Sequence, residues 1–153
     1  ALLKKMVVNN EDYSKIVTTL LKGGTDQVFG VNAEPNSYNP SVDISTWDVS
    51  NITSLVAIFQ GISNFNQNLN YWDTSNFVNL TGSFFQTKNF NPKIDKWDVS
   101  KVTDMQYTFN VSTGFKGDLS AWNVEKVTKC VLFAKSSDFP KSKWPNFTNC
   151  NPD

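Results

Sequence analysis

The chain has 153 residues, enough for one domain with a core of its own. Lys plus Arg and Asp plus Glu each total 14 residues, so the net charge is zero and no basic field favours nucleic-acid binding. No apolar run reaches the roughly 20 residues of a membrane-spanning helix. We therefore expect no nucleic-acid partner and no membrane insertion of this segment.

The first 43 residues are predicted to form an N-terminal cap. Residues 10–24 carry apolar side chains at helical spacing and end in two glycines, which predicts an amphipathic helix. Residues 25–43 are predicted to form a degenerate first turn. A repeat protein needs such an atypical end, because the first repeat would otherwise expose its apolar face.

Residues 44–135 contain four segments that align without a gap at a period of 25 residues. The same apolar positions recur in each segment, which predicts that the units stack and that these side chains form one core. The aromatic positions of this predicted core are Trp47, Trp72, Trp97, Trp122, Phe59, Phe84, Phe109, Phe65, Phe90 and Phe115.

The spacing inside one unit changes along the chain. Ile94, Trp97 and Val99 follow the L-x-x-L-x-L pattern of a leucine-rich-repeat strand, and the apolar residues of 102–109 are spaced by three and four, which is typical of a helical turn. The predicted fold is an α/β repeat solenoid, leucine-rich-repeat-like, with four 25-residue turns, short parallel strands, an N-terminal capping helix and an irregular C-terminal cap at 136–153. A parallel β-helix is the rival, and the helical spacing argues against it.

The two cysteines, Cys130 and Cys150, match no zinc pattern, and the chain has no His to complete one. We predict a disulfide that closes the C-terminal cap. It would close a loop of about 20 residues and contribute about 3 kcal/mol. The alternative is a pair of buried thiols, because Cys130 occupies a core position of the repeat.

The strings WDVSNIT, WDTSNF and WDVSKVTDMQYTF, each followed by F-N-x-x-L/I, resemble the BspA-type leucine-rich-repeat surface protein family. The resemblance covers about residues 38–135. It implies a secreted or surface-exposed protein tied to adhesion or host contact. The last unit departs from the pattern, since Asn123 and Glu125 replace Asp and Ser.

The most regular polar feature is the column Asp48, Asp73, Asp98 and Asn123, which is the candidate binding face. One interpretation is a row that binds a cation or a polar ligand. The other is local: each side chain accepts hydrogen bonds from the D-x-S turn that follows it. We assign no metal site to this column.

Four triplets fit the N-glycosylation pattern, at Asn51, Asn79, Asn110 and Asn146. They fall in different columns of the repeat, and a chain rich in Asn, Ser and Thr produces such triplets by chance. They are candidate sites only if the source is a eukaryote or a virus of one.

No catalytic residues are assigned. Without His there is no Ser-His-Asp or Cys-His arrangement, and no phosphate-binding or nucleophile-elbow motif occurs. We therefore expect no enzyme, no cofactor and no metal.

The sequence favours an extracellular or surface-exposed protein-interaction or adhesion module, which would bind a host protein or a neighbouring surface or assembly protein. The first alternative is a structural subunit of a surface layer, filament or virion. The second alternative is a carbohydrate-binding module. The expected location is extracellular, on the cell surface or on a virion surface.

Overall fold

A computed structural model describes residues 43–153 of the chain. The predicted N-terminal cap, with its capping helix and degenerate first turn, lies outside these residues except for Asp43. The described residues contain the four repeat units, which begin at residues 44, 69, 94 and 119, and the C-terminal segment that follows them.

The predicted α/β leucine-rich-repeat solenoid is wrong. Between residues 43 and 153 the regular elements are a single 3₁₀ helix, Lys141–Lys143, and isolated parallel β-bridges, with no α-helix and no sheet. The bridges join residues 25 positions apart: Ser54 with Asn79, Ser63 with Lys88, Asn68 with Lys93, Asn79 with Asp104, and Asp104 with Lys129. The units are therefore irregular turns stacked in a constant register.

The helical turn expected at residues 102–109 does not form, because the backbone bonds run mostly between units. The N–H of Asn110 donates to the Tyr107 carbonyl at 3.2 Å, which closes a reverse turn. The N–H of Phe109 instead donates at 2.7 Å to Phe133 in the next unit. An α-helix would need each N–H to bond four residues back. Apolar spacings of three and four therefore arise here from consecutive reverse turns.

Alternate N–H groups connect each unit to the next, and we call this set of bonds the inter-unit ladder. Each donor bonds the carbonyl of the residue 24 positions later, at 2.7–3.1 Å. The donors are Leu55, Ala57, Phe59 and Gly61 in the first unit, Leu80, Gly82, Phe84 and Gln86 in the second, and Met105, Tyr107, Phe109 and Val111 in the third. The ladder satisfies backbone groups that the buried side of each turn would otherwise leave unpaired.

The tryptophan column runs through the core and also ties the units together. The rings of Trp72 and Trp97 stack with centroids 5.9 Å apart, and those of Trp97 and Trp122 stack at 6.3 Å. Each indole N–H also donates to a carbonyl of the preceding unit: Trp72 to Ile44 at 2.8 Å, Trp97 to Leu69 at 2.9 Å, and Trp122 to Ile94 at 3.2 Å. A buried indole N–H needs such a partner, so the column combines apolar burial with a fixed orientation.

The phenylalanine columns fill the rest of the core. All ten aromatic residues of the predicted core are at most 5% exposed. Phe84 and Phe109 pack with centroids 4.9 Å apart, and Phe133 continues this stack at 5.6 Å from Phe109. The 25-residue period puts Ala134 at this position. Phe133, at the repeat position of Thr108, supplies the ring at the end of the stack without a change of backbone register.

Each unit has at least two corners with left-handed backbone, the second four residues after the first. At the first corner, Ala57, Gly82, Tyr107 and Leu132 occupy the same repeat position and have φ between 53° and 59°. A left-handed conformation costs a non-glycine residue about 1–2 kcal/mol. Only Gly82 avoids this cost, so the inter-unit bonds on either side of the corner must offset it in the other units.

The C-terminal segment covers the last unit without repeating its pattern. Cys130 and Cys150 form a disulfide with Cα atoms 5.9 Å apart. The Pro152 carbonyl accepts from the Phe133 N–H at 3.1 Å, and the Phe147 ring packs against Phe133 with centroids 5.0 Å apart.

The described part of the chain has no helix that is long and apolar enough to cross a membrane.

Candidate functional site

The candidate binding face is built from one hydrogen-bonded turn per unit. Asp48 Oδ1 accepts from the Ser50 N–H at 3.0 Å and from its hydroxyl at 2.6 Å, and Asp73 Oδ1 accepts from Ser75 at 3.1 and 2.6 Å. In the third and fourth units, Asp98 accepts from the Ser100 N–H at 2.9 Å and Asn123 from the Glu125 N–H at 3.1 Å. These contacts are the local D-x-S turn that the sequence offered as one of two interpretations.

The same turn sets the electrostatics of the face. Hydrogen bonds from the Ser50 hydroxyl and then from its N–H lower the pKa of Asp48, and burial opposes them. Ser100 lowers the pKa of Asp98 in the same way, with a further contribution from the Lys101 charge. Donors that face a carboxylate favour its ionised form. Both side chains are therefore held as anions with one oxygen in the turn.

The side chains of the acidic column are spread along the surface of the stack. No group of three or more His, Cys, Asp or Glu side chains in residues 43–153 is close enough to hold a metal ion. The column lies on the surface, since Asp73, Asp98 and Asn123 are exposed and Asp48 is half-buried. It can present carboxylate and amide oxygens to a polar partner at regular intervals along the stack.

Further columns of the same turn were missed in the sequence. Asp43 accepts from Ser45, Asn68 from Asn70 and Asp118 from Ser120, with N–H distances of 2.9, 3.1 and 3.0 Å. Asn79 and Asp104 hold a third column through the N–H groups of Thr81 at 2.8 Å and Gln106 at 3.0 Å. A search for Asp or Asn two residues before a polar residue, repeated every 25 residues, would have found them.

The four glycosylation triplets differ in their surroundings. Asn51 and Asn146 are exposed, whereas Asn79 and Asn110 are half-buried. The Asn79 side-chain oxygen also accepts from the Thr81 hydroxyl at 2.6 Å. The structure therefore gives the four asparagines no common setting.

Exposed apolar side chains lie close to the acidic column in the sequence of each unit. Val56 is 44% exposed, and Val131, at the same repeat position three units later, is 39% exposed. Val78 and Tyr107 are 40% and 38% exposed. Exposed apolar side chains of this kind can add contact area when a protein binds a partner.

A stack of 25-residue units, each closed by a turn at an Asp or Asn side chain and linked by a backbone ladder, defines a repeat protein whose exposed surface is also periodic. The chain belongs to the family described as "Mycoplasma protein of unknown function, DUF285", whose sequence model matches residues 26–146. No curated protein and no solved structure matches the chain.

Proposed function

We propose that the chain is an extracellular or surface-exposed module that binds another protein and has no catalytic activity. The observation that carries the proposal is the candidate binding face, where each of Asp48, Asp73, Asp98 and Asn123 is fixed by its own turn. Side chains that are already ordered lose little entropy on binding, so a surface of this kind favours association.

The periodicity of the face supports binding to an extended surface. Neighbouring units are joined in parallel register, which separates equivalent side chains by about 4.8 Å. A partner that contacts one carboxylate therefore meets the next at a fixed distance. The exposed valines and Tyr107 would add apolar contact.

Two observations support a location outside the cell. The disulfide between Cys130 and Cys150 is typical of proteins that fold in oxidising compartments. The repeated Trp-Asp-x-Ser motif also resembles BspA-type surface proteins, a finer assignment than the family match gives. On this proposal the partner is a host protein or a neighbouring surface protein.

The test is saturable binding of the fluorescently labelled chain to intact cells of the source organism and of its host. We expect binding that unlabelled chain competes away and that protease treatment of the cells abolishes. The informative variant is the triple substitution Asp48→Asn, Asp73→Asn and Asp98→Asn, because Asn123 makes the same turn without a charge. It should keep the fold and weaken binding by about tenfold or more, as expected for several lost charged contacts.

Other outcomes would contradict the proposal. Absence of saturable binding, or full affinity in the triple variant, would remove the role of the acidic face. Binding that survives protease but is lost after periodate oxidation of cell-surface glycans would favour the carbohydrate-binding alternative. Self-association of the purified chain into large assemblies, without cell binding, would favour the structural-subunit alternative.

A further inference from the structure

The inter-unit ladder ends with unpaired donors in the fourth unit. Cys130, Leu132, Ala134 and Ser136 occupy the repeat positions whose N–H groups, in the three earlier units, donate to the next unit. Within residues 43–153 none of these four N–H groups has an acceptor. Ala134 is only 3% exposed, so its N–H is unpaired in a place where that is costly. We call these four positions the open edge.

The open edge is not covered by the C-terminal segment along its whole length. The Pro152 carbonyl bonds the N–H of Phe133, which lies between Leu132 and Ala134 of the edge, and the disulfide anchors the segment at Cys130. Beyond that contact, Ala134 and Ser136 line a cavity of about 310 Å³ together with Lys135 and Trp144. A cavity of this volume is at the lower end of the range for ligand sites, about 300–1,000 Å³.

The groups around this cavity favour an acidic, partly apolar ligand. Lys135 is exposed, and the residues at its repeat position in the earlier units are Gln60, Phe85 and Asn110, so the positive charge is particular to the last unit. Trp144 is half-buried and offers an aromatic surface. Lys141 is already paired with Asp153, and its ammonium group lies 5.5 Å from the Trp144 ring centroid. The unpaired charge is therefore that of Lys135.

We propose that the open edge at Ala134 and Ser136 binds an extended acidic segment of a partner protein. Carbonyls of that segment, two residues apart, accept from the N–H groups of Ala134 and Ser136, as the carbonyls of a following unit would. A carboxylate pairs with Lys135, and an apolar side chain packs on Trp144. Recognition of this kind adds an extended segment to a backbone edge whose donors have no partner. The inference rests on the proposed function and names a second surface and its ligand chemistry.

The probe is the blocked hexapeptide Ac-Val-Asp-Val-Asp-Val-Asp-NH2, titrated into the ¹⁵N-labelled chain with the disulfide intact. We expect saturable shifts of the Ala134 and Ser136 amide resonances and slower hydrogen exchange at both. The same peptide with Asn in place of Asp should bind about fivefold more weakly, the loss expected for one partly exposed ion pair. Binding of the two peptides with equal affinity would overturn the assignment of an acidic ligand.

A pair of matched variants separates the site from general charge attraction. Lys135→Asn installs the residue found at position 110, and Lys101→Asn installs the residue found at position 76, so both remove one charge with a side chain the repeat already contains. Lys135→Asn should weaken the Asp peptide by about fivefold, and Lys101→Asn by less than about twofold.

Equal weakening by the two variants, shifts confined to other amides, or no binding at millimolar peptide would overturn the proposal. Failure here does not decide the proposed function. If the peptide does not bind and the triple Asp→Asn variant still loses cell binding, then the open edge is rejected and the acidic face remains the binding surface. If cell binding is absent while the peptide binds the edge as described, then the proposed role of the acidic face is rejected instead.

Discussion

The interior units and the fourth unit are stabilised by different contacts. In the second and third units each ladder donor bonds a carbonyl 24 residues later, and Phe84, Trp97 and Phe109 each have an aromatic ring from both neighbouring units beside them. On the fourth unit, residues 136–153 take the place of a repeat through a disulfide, one carbonyl from Pro152 and the packing of Phe147. Repeats therefore stabilise their neighbours, whereas the end depends on contacts that occur once.

The largest expected effect is at the centre of the stack. Trp97→Ala removes a ring that contacts two other tryptophans and a donor to the Leu69 carbonyl, and we expect the free energy of unfolding to fall by about 3–5 kcal/mol. Urea denaturation followed by circular dichroism measures this. Trp97→Phe should fall between wild type and Trp97→Ala, because it keeps a ring and loses the indole N–H.

The matched control is Trp144→Ala in the C-terminal segment. This ring is half-buried and contacts Phe133 and Phe139 only from the end of the stack. Its removal should lower the free energy of unfolding by clearly less than the Trp97→Ala substitution does. An equal or larger cost would contradict the difference between interior and end.

The disulfide should have the next largest effect. Replacing Cys130 and Cys150 with Ala opens a cross-link between residues 20 apart and should cost about 3 kcal/mol. The loss of amide protection should be concentrated in residues 136–153, and residue-level hydrogen exchange can locate it. Equal loss of protection in the second unit would show instead that the end and the interior unfold together.

A smaller effect is expected at the turn of the second unit. Asp73→Ala removes the acceptor for the Ser75 N–H and hydroxyl and should cost about 1 kcal/mol. Asp73→Asn keeps an acceptor and should cost less than half as much. If thermal melts show the two variants to be equally destabilised, the charge rather than the turn stabilises this position.

The smallest effect is a pH dependence that comes from the same turns. The pKa values of Asp48 and Asp98 are lowered in the folded chain, so their contribution to stability is complete above the unfolded pKa of about 3.9 and is lost as the pH falls through the folded values. Urea midpoints measured between pH 6 and pH 2.5 should fall in the acid range. The decline should be shallower in the variant with both residues changed to Asn, and an unchanged slope would contradict this origin.

The positions of the core side chains can be found in the sequence because every unit buries the same residues. Trp72, Trp97 and Trp122 recur at one spacing, and the structure stacks them. The class of backbone could not be found in this way. Apolar spacings of three and four suit both a helix and consecutive reverse turns, and the inter-unit bonds, such as that from Phe109 to Phe133, distinguish the two.

The left-handed corners and the open edge also could not be predicted from the sequence. The first left-handed corner of each unit is a glycine only at Gly82, while Ala57, Tyr107 and Leu132 show no local preference for it. For the acidic column, the sequence was compatible with two interpretations, a row that binds a ligand and a set of local turns. The turns around Asp48 and Asp73 account for one oxygen of each carboxylate, and the cell-binding test addresses what the exposed surface does.

Residue-level amide hydrogen exchange with the disulfide intact tests the central claim most directly, which is that a backbone ladder joins the units and stops at the fourth. We expect strong protection at Gly82 and Phe84, whose N–H groups donate to Gln106 and Thr108, and rapid exchange at Leu132 and Ala134 in the equivalent positions of the last unit. Equal protection of the two pairs, or rapid exchange at Gly82 and Phe84, would contradict it.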